Sequence, residues 1–101
     1  MYVAVRADLP IAHQAVQAIH AGIAAARELI PTEAKHPSLV FCTVPDRDAL
    51  AALSDRLIAA GIIHRTFREA DMGDQATALA TEPVNGKARK LFKDLSLFSG
   101  V

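Results

Sequence analysis

Segments with the composition of β-strands alternate with segments of helical periodicity, and this alternation restricts the fold of the chain more than any other feature. Residues 2–6 form a short aromatic and β-branched run, which Asp8-Leu9-Pro10 ends. Residues 11–29 then follow a helical pattern, and residues 38–44 are a nearly continuous apolar run. Strand, helix and strand in this order are typical of a parallel βαβ unit.

The helical segment 11–29 has one apolar stripe, formed by Val16, Ile19, Ile23 and Ile30. Such a stripe is expected to face the core of the protein. Many of the other residues are alanines, which keep the helix thin and allow it to approach a sheet closely. Pro31 ends the helix.

The rest of the chain continues the alternation. Asp46 is expected to cap a second helix before Gly61, and strands at 62–67 and 76–81 are expected to pair through an acidic loop at 68–75. A short basic helix is expected at 87–92. The pattern predicts one domain, residues 1–101, with an α/β fold: a four-stranded mixed sheet with helices on both faces, in three α/β/α layers. The apolar run 38–44 predicts a strand covered on both faces.

Composition and charge narrow the class of protein. Hydrophobic residues make up 51% of the chain and charged residues 22%, which is typical of a globular domain. The apolar runs are shorter than the ~20 residues that a membrane helix needs. The single cysteine, Cys42, lies in an apolar run and is expected in the core. We therefore expect a cytoplasmic protein without a membrane partner.

Three polar side chains share one face of the first helix. His13, Gln17 and His20 are separated by four and three residues. On a helical wheel this face lies about a quarter turn from the apolar stripe, at ~100° per residue, and so borders the expected core. Side chains in that position can line a cleft. They are equally compatible with ordinary boundary residues.

Acidic residues cluster where the predicted sheet ends. Glu69, Asp71 and Asp74 follow the third strand and Asp8 follows the first. Ligands of open α/β sheets bind beyond the carboxyl ends of parallel strands. The competing interpretation is that the loop is acidic because it is solvated. The chain has no phosphate-binding loop, zinc motif or nucleophile elbow, so neither a metal ion nor another cofactor is predicted.

Basic residues cluster near the C-terminus, although the chain as a whole has 11 basic and 11 acidic residues. The clustered residues are Lys87, Arg89, Lys90 and Lys93. Such a patch is a candidate for contacts to a nucleic-acid backbone, which provide affinity without reading sequence. A solvated helix face explains it as well.

Four motifs, in order along nearly the whole chain, resemble the peptidyl-tRNA hydrolase 2 family, and in particular a divergent bacterial-type member. Residues 5–9 (VRADL) are similar to the family's V-R-x-D-L, and residues 17–21 (QAIHA) to its A-Q-x-x-H-A segment. Residues 45–50 (PDRDAL) resemble P-D-x-x-x-L, and residues 77–83 (TALATEP) resemble T-x-L-G-x-G-P. The resemblance implies hydrolysis of the ester that joins a peptide to tRNA, with peptidyl-tRNA as substrate and a homodimer as the expected assembly.

The resemblance also implies roles for individual residues. The implied catalytic residues are His13, Glu69 and Thr77. The implied substrate-binding residues are Gln17, His20, Asp8, Lys87, Arg89 and Lys90. His13 stands where the family has a lysine, and Glu69 replaces the acid of the family's D-A-G-x-T loop, whose threonine is absent here.

These departures keep a second function open. A non-catalytic binding module would retain the fold and use the same cleft for a small ligand or a protein. Under the hydrolase interpretation Glu69 orients water or a partner side chain. A histidine titrates near pH ~6.5, so pairing with Glu69 would favour a charged His13 and restore part of the lysine's charge. An uncharged His13 would instead serve as the general base.

Overall fold

The β-branched and apolar runs of the sequence form strands whose ends shift by only a few residues. A computed structural model describes residues 1–100. Its elements are β1 (Tyr2–Arg6), α1 (Ile11–Leu29), β2 (Val40–Val44), α2 (Arg47–Ala59), β3 (His64–Glu69), β4 (Gln75–Thr81) and β5 (Ser96–Leu97), with 3₁₀ segments at Ala70–Met72 and Gly86–Phe92. No helix among these residues is both long and apolar enough to span a membrane.

The strands form one mixed sheet in the order β3-β4-β1-β2-β5. β1 pairs parallel with β2 and antiparallel with β4, while β3 and β4 form an antiparallel pair. The predicted α/β class and mixed sheet are confirmed. The predicted number of four strands is wrong, because residues 96–97 add a fifth strand beside β2. Two residues are too short a run to give a strand pattern in the sequence.

Alternate residues of β1 belong to two hydrophobic clusters. Tyr2 and Ala4 pack with the leucines of α2, whereas Val3 and Val5 pack with the alanines of α1. Side chains that alternate along a strand point to opposite sides of the sheet. We call these sides the α2 face and the α1 face. β1 is buried along its whole length between them.

The orientation of α1 reverses the sequence prediction. Its buried residues are Gln14, Gln17, Ala18, Ala21 and Ala25. Three of the four side chains of the predicted core stripe point to solvent: Val16 is 49% exposed, Ile19 61% and Ile23 53%. The fourth, Ile30, is half-buried and packs against the cluster on the α1 face. The helix instead approaches the sheet through its alanines, whose short side chains allow close packing.

The predicted coverage of residues 38–44 on both faces holds only in part. On the α2 face Cys42 and Val44 are buried, but on the α1 face Phe41 is only half-buried. The main contacts of α1 are with β4, β3 and β1, so it lies largely to one side of β2. Leu39, which precedes β2, is 64% exposed.

Candidate functional site

A chain of hydrogen bonds links α1 to the ends of β3 and β4. The Thr77 hydroxyl donates to Gln17 Oε1 over 2.7 Å, and Gln17 Nε2 donates to Glu69 Oε2 over 2.9 Å. We call these three residues the Gln17 relay. Gln17 and Thr77 are buried and Glu69 is half-buried. The relay therefore holds one oxygen of a surface carboxylate through two buried side chains.

A β-bulge places Thr77 in the relay. Phe67 pairs with Ala78 and Arg68 with Ala76, so Thr77 has no partner across the strand pair. Ala78 packs in the cluster beneath α1, and the Thr77 hydroxyl reaches Gln17 of the same helix. Two consecutive side chains thus face α1, which a regular strand does not allow. Bulges redirect side chains in this way beside functional sites.

The Glu69 carboxylate is held on both of its oxygens. Oε1 accepts a 3.3 Å hydrogen bond from the Asp71 amide, at the start of the 3₁₀ segment. The Gln17 amide, the Asp71 N–H and, more weakly, the nearby His20 and His13 lower the pKa of Glu69 from its usual 4.5. Sequence reasoning placed Glu69 in an acidic loop beginning at Arg68, whereas β3 continues to Glu69 itself. The backbone of Glu69 is therefore held in the sheet, and its side chain projects from the end of a paired strand.

Two exposed histidines flank the Glu69 carboxylate. His13 lies one helical turn before Gln17, and His20 lies one turn after it. The ring of His20 stacks on Phe67, with ring centroids 4.5 Å apart and an interplanar angle of 9°. No ion pair joins either histidine to Glu69 in the described part of the chain. Together these groups present one carboxylate and two imidazoles to solvent, a set capable of proton transfer.

Asp8 lies at the same end of β1 but belongs to a separate ion pair. Arg6 binds both of its oxygens, with Nε–Oδ1 at 3.0 Å and Nη2–Oδ2 at 2.9 Å. Arg6 Nη1 also donates to the Gln75 side chain and to the Ala76 carbonyl. The hydrogen bonds from Arg6 lower the pKa of Asp8. Asp8 is thus charged and already paired. Arg6, in turn, holds Gln75, which pairs with Glu69 across the hairpin.

The basic segment, residues 87–93, lies away from this site. Its four basic side chains are exposed, but Arg89 donates to the Tyr2 hydroxyl and Phe92 stacks on the Tyr2 ring at 3.8 Å. Tyr2 begins β1, whereas the site is beside its far end, about 13 Å along the strand at ~3.3 Å per residue. The segment also packs on the α2 face, and Gln17 belongs to the α1 face.

The sequence did not single out two residues that shape this region, Gln14 and Arg6. Gln14 Nε2 donates to the carbonyls of Ala7 and Leu9 and fixes the loop that leads into α1. Arg6 was noted only within the VRADL motif. A signal for Gln14 existed, since it lies one turn from Gln17 on the same alanine-rich helix. Residues 1–100 contain no group of three His, Cys, Asp or Glu side chains arranged to hold a metal ion.

Comparisons with known proteins show the fold and no more. No protein-family model and no curated protein matches the chain. Twelve chains of solved structures do. One is a protein of unknown function from Agrobacterium tumefaciens, with a TM-score of 0.65 and 14% identity over 97% of this chain and 96% of that one. The chain therefore shares its architecture, over nearly its full length, with a protein of unknown function.

Proposed function

We propose that the chain is a hydrolase of the peptidyl-tRNA hydrolase type, which cleaves the ester between a peptide and the terminal ribose of tRNA. The observation that carries the proposal is the Gln17 relay, which fixes the Glu69 carboxylate between two exposed histidines. Buried side chains whose hydrogen bonds orient a surface carboxylate are typical of a preorganised functional site. The sequence resemblance to that family supports the choice of substrate.

The proposed reaction needs a general base and a carboxylate that orients the base or the attacking water. A water molecule attacks the ester carbonyl, and a histidine accepts its proton as the tetrahedral oxyanion forms. Collapse of this intermediate breaks the bond to the ribose oxygen. The histidine returns the proton to that oxygen, so the products are a free peptide acid and tRNA. The lowered pKa of Glu69 makes it a weak base, so we assign it to orienting water or the imidazole.

We assign the base to His13. Stacking on Phe67 fixes the ring of His20, whereas His13 is exposed and free to meet a substrate at the end of the helix. Thr77 is fully buried, so it acts through Gln17 and does not touch the substrate. The family resemblance implies a catalytic role for Thr77, and we propose a positioning role in its place.

Release of labelled peptide from peptidyl-tRNA by the purified chain tests the proposal. Glu69→Gln and His13→Ala should each lower the rate by about 10²-fold or more, the usual contribution of acid–base groups. His36→Ala is the matched control, because His36 is exposed in the loop before β2. No release above background, or equal losses from His13→Ala and His36→Ala, would contradict the proposal.

One observation favours the second candidate, a binding module without catalysis. The basic segment and the Gln17 relay lie at opposite ends of β1 and on opposite faces of the sheet, so one tRNA must reach around the edge of the sheet to contact both. In that case the chain would bind a small acyl or peptide ligand beside Glu69 and release no product from peptidyl-tRNA. Binding of such a ligand, together with no release of peptide in the same assay, would support this second function.

A further inference from the structure

We propose that Ser54 and His64 form a second reactive site, in which the Ser54 hydroxyl attacks the carbonyl carbon of a small acyl ester. Ser54 lies on α2, and His64 is the first residue of β3, the edge strand of the sheet. Ser54 Oγ and His64 Nε2 are 2.7 Å apart. A hydroxyl within hydrogen-bonding distance of an imidazole is the arrangement from which serine nucleophiles react.

The second ring nitrogen of His64 fixes the direction of this hydrogen bond. Nδ1 lies 3.3 Å from the carbonyl oxygen of Ile62. Because a carbonyl oxygen can only accept, this contact assigns the proton of the neutral ring to Nδ1. Nε2 is then the free acceptor, and the Ser54 hydroxyl donates to it. Nucleophile, base and orienting group thus lie in the order of a catalytic triad, with a backbone carbonyl in the place of the usual carboxylate.

The position of Ser54 in the middle of α2 makes this contact informative. A serine inside a helix commonly donates to the carbonyl one turn before it, and a hydroxyl bonded in that way has no base beside it. The Ser54 hydroxyl reaches across to another element and meets His64 there. Both residues are half-buried, so packing limits their motion, and Ser54 also lines a cavity from which a substrate can approach.

The cavity beside Ser54 has a volume of about 190 Å³. Pockets for drug-sized ligands measure ~300–1,000 Å³, so this one suits a short acyl group such as acetyl. Leu50 and Ala76 give it apolar walls, and the exposed side chains of Asp55 and Arg68 also line it. Since these two charges are opposite, the lining favours an uncharged ester over an anion or a cation.

The proposed reaction has two halves. Ser54 Oγ bonds to the carbonyl carbon of the ester while its proton passes to His64 Nε2, and the guanidinium of Arg68 donates to the tetrahedral oxyanion. Collapse of this intermediate breaks the bond to the alcohol oxygen, which takes the proton from His64. Water then attacks the acyl-serine by the same route, so that the acid is released and Ser54 is restored. The reaction proposed at the Gln17 relay forms no covalent intermediate, so an acyl-serine is specific to this second site.

Incubation of the full chain with p-nitrophenyl acetate tests the proposal. After rapid quenching in acid, peptide mass spectrometry should locate an acetyl group on Ser54, and Ser54→Ala should abolish the initial burst of nitrophenolate. Ser99→Ala is the matched control, because Ser99 is exposed near the C-terminus and its loss should leave the burst unchanged. No acetyl group on Ser54, or the same labelling of Ser54 in the chain denatured with guanidinium, would overturn the proposal.

His64→Gln separates the role of a base from that of a structural contact. The glutamine amide can still form a hydrogen bond with Ser54 but cannot take up its proton, so the melting temperature should stay close to that of the unmodified chain. The rate of Ser54 acetylation should fall by about 10²-fold or more, the usual contribution of a general base. Acetylation as fast in this variant as in the unmodified chain would show that His64 only holds the serine in place, and would overturn the proposed site.

Discussion

Arg6 is a charged side chain that folding removes almost completely from water. Only 7% of the residue is exposed, and its guanidinium makes four hydrogen bonds, two of them to Asp8. A buried charge of this kind is tolerated only when its donors are satisfied. Arg6 therefore ties the end of β1 to the start of β4, directly behind the Gln17 relay.

Arg6→Ala should lower the free energy of unfolding by about 2–3 kcal/mol, because it removes four hydrogen bonds of a buried guanidinium and leaves partly buried acceptors unpaired. Arg47→Ala is the control. Its pair with Asp48 is 4.0 Å long between side chains that are 61% and 94% exposed, and such pairs contribute less than ~1 kcal/mol. Urea denaturation of both variants measures the difference. Equal midpoints would show that the Arg6 network contributes no more than a surface pair.

The Asp8 carboxylate should make stability depend on pH. Arg6 lowers its pKa in the folded state from the usual 3.8, so the folded protein binds this proton less readily than the unfolded chain. The stabilisation is present above pH 3.8 and is lost as the pH falls through the lowered value. Asp8→Asn should therefore destabilise the protein at pH 7 and make little difference in strong acid. A constant difference across a series of urea titrations would contradict this assignment.

The residues of the candidate site were partly predictable from sequence. Helical spacing placed Gln17 beside the two histidines, and the end of the third strand placed Glu69 at the edge of the sheet. Thr77 was implied only by the family resemblance. The Thr77 contact itself depends on a bulge, which a single sequence does not reveal. The burial of Arg6 was not predictable, because it depends on a hydrogen bond to Gln75, which is 69 positions away.

At the scale of elements, periodicity predicted where α1 lies but not which side of it faces the sheet. Predicted and observed bounds agree at residues 11–29. The rotation was wrong because alanines, and two glutamines with satisfied amides, pack more closely on the sheet than isoleucines do. The side chains of Val16, Ile19 and Ile23 are then left exposed. A hydrophobic stripe therefore does not by itself show which side of a helix faces the core.

The N-terminus of α2 depends on one side chain. Asp46 accepts a 2.9 Å hydrogen bond from the Ala49 amide, and N-caps of this kind contribute ~1 kcal/mol. Asp46→Ala should lower the free energy of unfolding by about that amount. Asp48→Ala, in the first turn but without the cap, should cost only a few tenths through the helix dipole. Thermal melts compare the two, and equal losses would mean that the cap contributes nothing specific.

At the scale of the whole molecule, the alternation of strands and helices was enough to predict the class of fold. It could not predict that α1 covers only part of its face. That outcome depends on strand order, and the order β3-β4-β1-β2-β5 leaves β2 beyond the helix. The fifth strand depends on stacking of Phe98 on Phe41, with centroids 4.4 Å apart, which is a long-range contact.

The clustering of basic residues in one segment predicts how tRNA affinity should depend on salt. If tRNA binds, the basic segment should supply most of the phosphate contacts, and affinity should fall with salt by a slope of ~0.7–0.9 per contact. Replacing Lys87, Arg89, Lys90 and Lys93 with glutamine should flatten that slope. The fold should survive because all four are exposed. A titration across salt concentrations on both chains measures it, and an unchanged slope would move the contacts elsewhere.

The central position of β1 has a consequence for synthesis on the ribosome. The backbone N–H of Tyr2 donates to Thr81, 79 positions further along the chain. Translation from the N-terminus therefore leaves one edge of β1 unpaired until β4 emerges, roughly 4–16 s later at ~5–20 residues per second. During that interval β1 and β2 can pair, but the nascent chain has an open strand edge. Docking of the β3–β4 hairpin then closes that edge, so the last long strand to be made completes the pairing of the first.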